Sequence, residues 1–253
     1  MSRLNGPSVH PFLDWPGPLA FAHRGGASEA PENTMPAFQR AIDLGYTHLE
    51  TDVHATVDGV LVAFHDDDLL RTTGRSGKIS ELRWSEVSTA LVDGREPIPR
   101  LEELAEAFPE ARLNIDCKAD GAAAALASAI RRCDLLDRVC VGAFSTPRLR
   151  RLRRELGERL LTSMGPSEIA SLKLWGRPRG PSRVAQVPVR HGRLAVADAR
   201  FVTRAHAVGV HVHIWTIDDA AEMERLLDLG VDGIMTDRPA VLREVLEARG
   251  AWS

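Results

Sequence analysis

Cysteine is scarce in this chain and irregularly placed. Cys117, Cys133 and Cys140 are odd in number and show no Cys-x-x-Cys spacing. They therefore suggest neither a disulfide framework nor a thiolate zinc site, and read as buried thiols. Lysine is rarer than its cationic role would suggest: Lys78, Lys118 and Lys173 stand alone among many arginines, which makes each worth inspecting. There is no basic block and the formal net charge is −3, so nucleic acid is not an expected partner. No run approaches the ~18 apolar residues that span a bilayer. The opening MSRLNGPSVHPFLDWPGP lacks an apolar stretch behind a basic one, so no secretory signal is read and a cytoplasmic protein is expected. The Gly-rich turn of dinucleotide-binding folds is also missing, since His23-Arg24-Gly25-Gly26 is no Gly-x-Gly-x-x-Gly.

What remains is an ordinary globular composition, 44% hydrophobic and 26% charged over 253 residues, at the usual size of a (β/α)8 barrel. Residues 1–18 read as a Pro-rich arm and 19–253 as a single domain. Leu19 to His23 is a buried strand stopped by Gly25-Gly26. Asn33-Thr34-Met35-Pro36 opens a helix, Gly45 ends it, and His48 to His54 is the next strand, completing a βαβ unit. Val60 to His65 is strand-like as well, but three residues separate it from its predecessor. A parallel crossover needs about a dozen, so this run must return antiparallel as a hairpin. It begins an insertion of about 58–98, read as a polar surface excursion. Counting strands near Leu19, His48, Arg112, Val139, Arg159, Val184, Val210 and Gly233 gives eight βα units, hence an α/β TIM barrel with a small hairpin and loop insertion after strand two. Pro188 to Leu194 is expected to be a loop, as is Ser171 to Pro181.

In such a barrel, chemistry gathers at the C-terminal strand ends. Glu50 and Asp52 lie at i and i+2, on one face of strand two. Two acids aimed into a barrel mouth repel unless a cation or proton lies between them. Asp116, from the next strand, is placed as a third oxygen donor, and three carboxylates suit Mg²⁺ or Ca²⁺ better than zinc. An acid pair neutralised by arginine and backbone donors fits the same pattern. His23 and His65 each end a β run and precede a charged residue, the arrangement of a base and acid pair. Arg24 and Lys118 supply positive charge for an anionic substrate. His48 is expected to be structural. On pattern alone His54, His211 and His213 fit either the mouth or the core, the core being the plainer reading for the last two.

The blocks AHRGG, PENT, LETDVHATVDGVLVAFHDDDLLRTT, NIDCK, HIWTIDD and GVDGIMTDRP occur in an order that resembles the glycerophosphodiester phosphodiesterases, from about Leu19 to the last helix. The resemblance implies a TIM barrel that hydrolyses a glycerophosphodiester to an alcohol and sn-glycerol 3-phosphate with one divalent cation, Mg²⁺ or Ca²⁺, with Mn²⁺ a further candidate. It implies His23 as general base, His65 as general acid, and Glu50 and Asp52 as metal ligands. Arg24 matches a phosphate contact and Lys118 the lysine after the third acid. Glu32 falls on the Glu-Asn-Thr block, supporting the site or meeting a substrate hydroxyl, and Trp215 matches an aromatic of the mouth. Two departures stand out: the third acid is Asp116 where the family commonly has Glu, and Asp218 stands where Asn is common. Ser171 to Pro181 places Leu174 and Trp175 beside Lys173 and Arg177. If not simply packed, it would cover the mouth and receive the acyl chain of a lysolipid, a lysophospholipase D-like variant of the reaction. A barrel that binds phosphate or headgroups without turnover is the reading from a different class.

Overall fold

The computed structural model describes residues 10–253. Of the N-terminal arm, residues 1–9 lie outside that description. The elements in chain order are β1 (Leu19–His23), α1 (Met35–Asp43), β2 (His48–Ala55), β3 (Leu61–Ala63), α2 (Leu70–Thr73), α3 (Trp84–Val87), β4 (Leu91–Val92), β5 (Glu96–Pro97), α4 (Leu101–Ala107), β6 (Arg112–Cys117), α5 (Ala122–Arg132), β7 (Val139–Gly142), α6 (Thr146–Leu156), α7 (Pro166–Trp175), β8 (Val184–Pro188), β9 (Arg190–His191), β10 (Leu194–Ala195), α8 (Ala199–Ala207), β11 (His211–Trp215), α9 (Ala220–Asp228), β12 (Gly233–Thr236) and α10 (Pro239–Ala248).

Parallel strands run in the order β7-β6-β2-β1-β12-β11-β8, and β3 pairs antiparallel with β2 as the short connection requires. Between β7 and β8 the expected fifth strand, Arg159 to Thr162, is reduced to two parallel bridges, Val141 to Thr162 and Ser163 to Val184, which close the ring. Side chains replace the missing ladder there. Arg153 Nε donates to Thr162 Oγ1 (2.7 Å), and Ser182 Oγ donates to the Thr162 carbonyl (2.5 Å). Gly157, at φ 81°, and Gly165-Pro166, which opens α7, bound this segment. The TIM-barrel expectation stands with that one element shortened.

Two apolar layers hold the barrel. Outside the strands, helix faces bury Phe38, Leu104, Leu126, Leu149, Phe201, Leu226 and Leu242. Inside, Leu19, Phe21, Cys140, Leu161, Val184 and Met235 fill the lumen together with Phe12 and Leu13 from the arm. Phe12 stacks on Phe21 with ring centroids 6.2 Å apart, and the His48 ring meets its carbonyl oxygen at 3.1 Å. The described part of the arm is thus a plug under the N-terminal strand ends. His48 is structural, as expected.

Three sequence expectations are corrected. The insertion is not merely polar, because Val62, Phe64, Leu69, Ile79, Val87, Ala90, Val92 and Ile98 form a buried core of its own. Arg190 to Ala195 is a small hairpin of β9 and β10. Ser171 to Trp175 is the end of α7, where Leu172 is buried and Leu174 and Trp175 are 63% and 61% exposed. Helices between parallel strands start near the strands' C-terminal ends and finish near their N-terminal ends. Trp175 therefore closes α7 on the side away from the mouth and does not cover it.

Candidate active site

A turn that few sequences can make follows β1. Arg24 has φ 52°, and Gly25 and Gly26 have φ 80° and 100°. A Cβ on Gly25 would sit 2.8 Å from that of Ala37, and one on Gly26 would sit 2.7 Å from the Pro239 ring. Only glycine combines that backbone with that approach. The turn aims the Arg24 backbone N–H at Glu50 Oε2 (3.1 Å) and its guanidinium at Asp52, Nε to Oδ2 3.1 Å.

Register brings the acids together. His23 pairs with Glu50 across β1 and β2, Glu50 with Asn114 and Asp52 with Asp116 across β2 and β6. Glu50 and Asp52 are both buried. Burial, and then the neighbouring Asp52, push the Glu50 carboxyl up to about 7. For Asp52, burial acts in the same direction, but the Lys118 and Arg24 cations outweigh it and hold the group below the usual range. Lys118 Nζ lies 2.8 Å from Asp52 Oδ1 and 2.7 Å from Asp116 Oδ2. Asn33, also in the left-handed region at φ 55°, donates to Asp52 Oδ2 (3.2 Å) and accepts from Thr51.

Each histidine is steered by its own carboxylate. His23 Nδ1 is 2.6 Å from Asp237 Oδ1, and its Nε2 is 3.8 Å from Glu50 Oε2. Burial alone would lower the His23 pKa, but Glu50 and Asp237 together raise it. His65 Nδ1 is 2.6 Å from Asp66 Oδ1, while buried His54 holds the His65 carbonyl oxygen at 3.1 Å. With Nδ1 bound to a carboxylate, Nε2 of each ring is the atom left for a substrate.

The remaining expected residues fall as follows. Both Glu32 oxygens are engaged by arginine: Oε1 accepts from Arg24 (3.2 Å) and from Arg71 (2.5 Å), and Oε2 from Arg71 (2.9 Å). Glu32 is therefore a support of the site. Trp215, at the end of β11, meets Phe144 edge to face at 5.6 Å, and Lys118 Nζ is 5.9 Å from the Phe144 ring. Asp218 accepts from the Asp237 backbone N–H (2.8 Å) and from Thr236 Oγ1 (2.9 Å), fixing the turn that carries Asp237. His213 belongs to the lumen, fully buried beside Phe21. Asp237 and Asp66 were visible in sequence only as polar residues after strands, and Asn33 only as a helix cap. Asp237 reaches His23 from 214 positions away, a contact that no local pattern encodes, whereas Asp66 binds its own chain neighbour His65. Phe144 carried no signal beyond lying after a strand.

Among the described residues no three His, Cys, Asp or Glu side chains are grouped to hold a metal ion, and Lys118 Nζ stands between Asp52 and Asp116. The donor set nonetheless fits a hard cation. Asp116 Oδ1 is buried and accepts no hydrogen bond, and a bare buried acceptor costs ~1–3 kcal/mol. Glu50, raised first by burial and then by Asp52, would have its charged form favoured by a cation beside it. An all-oxygen set of this kind suits Mg²⁺ or Ca²⁺.

Residues 23–241 match the Glycerophosphoryl diester phosphodiesterase family. The chain is 42% identical to the "Probable glycerophosphodiester phosphodiesterase 2" of Mycobacterium tuberculosis, over 100% of this chain and 99% of that protein. It is 30% identical to lysophospholipase D GDPD1 of Homo sapiens, over 89% and 85%. The crystal structure of a glycerophosphodiester phosphodiesterase from Agrobacterium tumefaciens superposes with a TM-score of 0.78 at 26% identity, over 91% of this chain and 99% of that one. Together with the barrel and the convergence of its acids and histidines, these matches show that the chain belongs to the glycerophosphoryl diester phosphodiesterase family.

Proposed function

We propose that this enzyme hydrolyses glycerophosphodiesters to an alcohol and sn-glycerol 3-phosphate, with a divalent cation and two histidines sharing the proton transfers. One observation carries the reading: two imidazoles, each bound through Nδ1 to a carboxylate at 2.6 Å, stand on strand ends around a buried group of acids. His23 Nε2 takes the proton of the attacking oxygen, and His65 Nε2 returns one to the leaving oxygen. Arg24 and Lys118 hold the phosphate's non-bridging oxygens, and the contacts of the Arg24 guanidinium with Asp52 and Glu32 fix that charge in place. Glu50, Asp52 and Asp116 would hold the cation, which when bound supplies charge neutralisation at the phosphoryl oxygens. Loading it requires Lys118 to turn from the acids toward the phosphate, a rotation its unbranched side chain permits.

A lysolipid substrate is a second reading. It is favoured by Phe144, 68% exposed and edge to face with Trp215 at the mouth, and by the likeness to a protein named lysophospholipase D. The deciding experiment is a panel of glycerophosphocholine, glycerophosphoethanolamine and lysophosphatidylcholine, each with Mg²⁺, Ca²⁺ or Mn²⁺ and with chelator. We expect chelator to abolish release of the phosphomonoester, and His23→Ala and His65→Ala each to lower kcat by ~10²–10⁴-fold with the fold intact. Full activity of both variants would sink the assignment.

A further inference from the structure

Arg71 is on α2, in the insertion, and nothing in the sequence reading gave it a task. Its guanidinium reaches two carboxylates on two different segments. Nε lies 2.5 Å from Asp66 Oδ2 and a terminal nitrogen 3.2 Å from Asp66 Oδ1. The same group donates to both oxygens of Glu32, at 2.9 and 2.5 Å. Asp66 is the carboxylate that holds His65 Nδ1. Glu32 belongs to the loop after β1 and also accepts from Arg24. One planar fork therefore ties the insertion, the His65 dyad and the loop of the phosphate-binding arginine into a single unit.

We propose that Arg71 is the positioning residue for the proton-donating histidine: it clamps Asp66, Asp66 orients His65, and the core of the insertion holds Arg71 in place. The inference rests on the reading of His65 as general acid. Without Arg71, Asp66 and Glu32 would be two neighbouring anions with no cation between them, free to turn apart, and the His65 ring would lose its fixed azimuth. The anchor on the other side is Leu69, the residue before α2, which is fully buried in the insertion's apolar cluster. This gives that separate core a purpose, since it fixes the segment from which the clamp projects. The pairing is also asymmetric. In the other dyad, His23 with Asp237, no arginine among the described residues meets the carboxylate, and Asp237 is held instead by its backbone N–H, donated to Asp218.

The step that depends on the clamp is cleavage of the bond from phosphorus to the leaving oxygen. The attacking oxygen, its proton taken by His23 Nε2, bonds to phosphorus as the old bonding pair departs on the leaving oxygen; His65 Nε2–H delivers its proton there, and the imidazolium becomes imidazole. An alkoxide leaving group needs that proton, whereas p-nitrophenolate is stable without it. The test compares glycerophosphocholine with the p-nitrophenyl phosphodiester of glycerol, in wild type, Arg71→Gln, Arg71→Lys and His65→Ala. Arg71→Gln is expected to lower kcat on the alkyl ester by ~10–100-fold, as a misaimed catalytic group does, and to change the p-nitrophenyl ester by less than ~3-fold. KM should stay within the same small range. Arg71→Lys restores charge but not the fork and should fall between the two. Equal loss on both esters, or no loss on the alkyl ester, would overturn the inference. If Arg71→Gln melts below the assay temperature, the same comparison in Arg71→Lys decides in the same way. If His65→Ala itself shows no leaving-group dependence, it is the underlying reading of His65 that fails, a result separable from Arg71 acting on an intact acid.

Discussion

Asp237 stands 214 positions from His23 in the chain and 2.6 Å from its Nδ1 in space. That contact selects the tautomer with the proton on Nδ1 and leaves Nε2 free to accept one, the state a base requires. Asn in place of Asp would keep the volume but let the amide pair with the other tautomer. Asp237→Asn should therefore lower kcat by ~10²-fold with little change in KM, measured by steady-state turnover of a glycerophosphodiester alongside circular dichroism. A variant with wild-type kcat would remove Asp237 from the mechanism. Asp116 is the other residue whose meaning is local. It is one methylene shorter than the family's common Glu, and it keeps one buried oxygen without a hydrogen-bond partner. The shorter side chain leaves Lys118 able to reach both Asp52 and Asp116.

Among the elements, the turn after β1 bears most of the burden. Its left-handed Arg24, Gly25 and Gly26 reverse the chain tightly enough to lay α1 against β1 while pointing the Arg24 N–H at Glu50. Asn33 and Thr34 then close the loop, Thr34 by capping α1 through Ala37 N–H. Gly25→Ala places a methyl at 2.8 Å from Ala37 Cβ on a backbone at φ 80°. The expected cost is about 1–3 kcal/mol, a drop of several degrees in melting temperature for a chain of this length. Activity should fall further than stability because Arg24 moves with the turn. Calorimetry on the variant checks the first part and kcat/KM the second; an unchanged melting temperature would show that the close approach is not maintained in solution. Among the described residues no helix is long and apolar enough to cross a membrane.

The molecule as a whole is a barrel sealed below by its own N-terminal arm. His48 lies at that seal, buried against Phe12 and Phe21. Burial pushes its pKa down to about 4 from 6.5, with the Arg112 cation acting in the same direction against the Phe12 carbonyl. Between those two values the unfolded chain binds a proton that the folded chain refuses. The contribution of neutral His48 is thus complete above pH 6.5 and is lost as pH falls toward 4. From pH 7 to pH 5 this amounts to about 2 kcal/mol. His48→Gln keeps an N–H for the Phe12 carbonyl but does not titrate. Urea unfolding at the two pH values should show a fall in stability about 2 kcal/mol smaller in the variant than in wild type. Equal falls would mean that His48 is not buried neutral. His213, fully buried and with its pKa also driven down by burial, acts in the same direction and is present in both proteins.

The βαβ opening, the forced antiparallel hairpin and the eight-unit count were legible because periodicity and connection length are local properties of the chain. So was the shared face of Glu50 and Asp52, since residues at i and i+2 on a strand must share a face wherever that strand goes. Beyond this, folding decided. Strand order placed Asp116 beside Asp52 and Asp237 under His23. The insertion's buried cluster carried Arg71 onto Asp66, and the run of α7 turned Trp175 away from the mouth. A fifth strand expected from its pattern shrank to two bridges because arginine and serine side chains from neighbouring segments took over its hydrogen bonds. The physical reason is one of range. Backbone propensity and side-chain alternation act over a few residues, whereas the His23–Asp237 dyad and the Lys118–Asp52 pair need side chains that only the closed barrel brings within 3 Å.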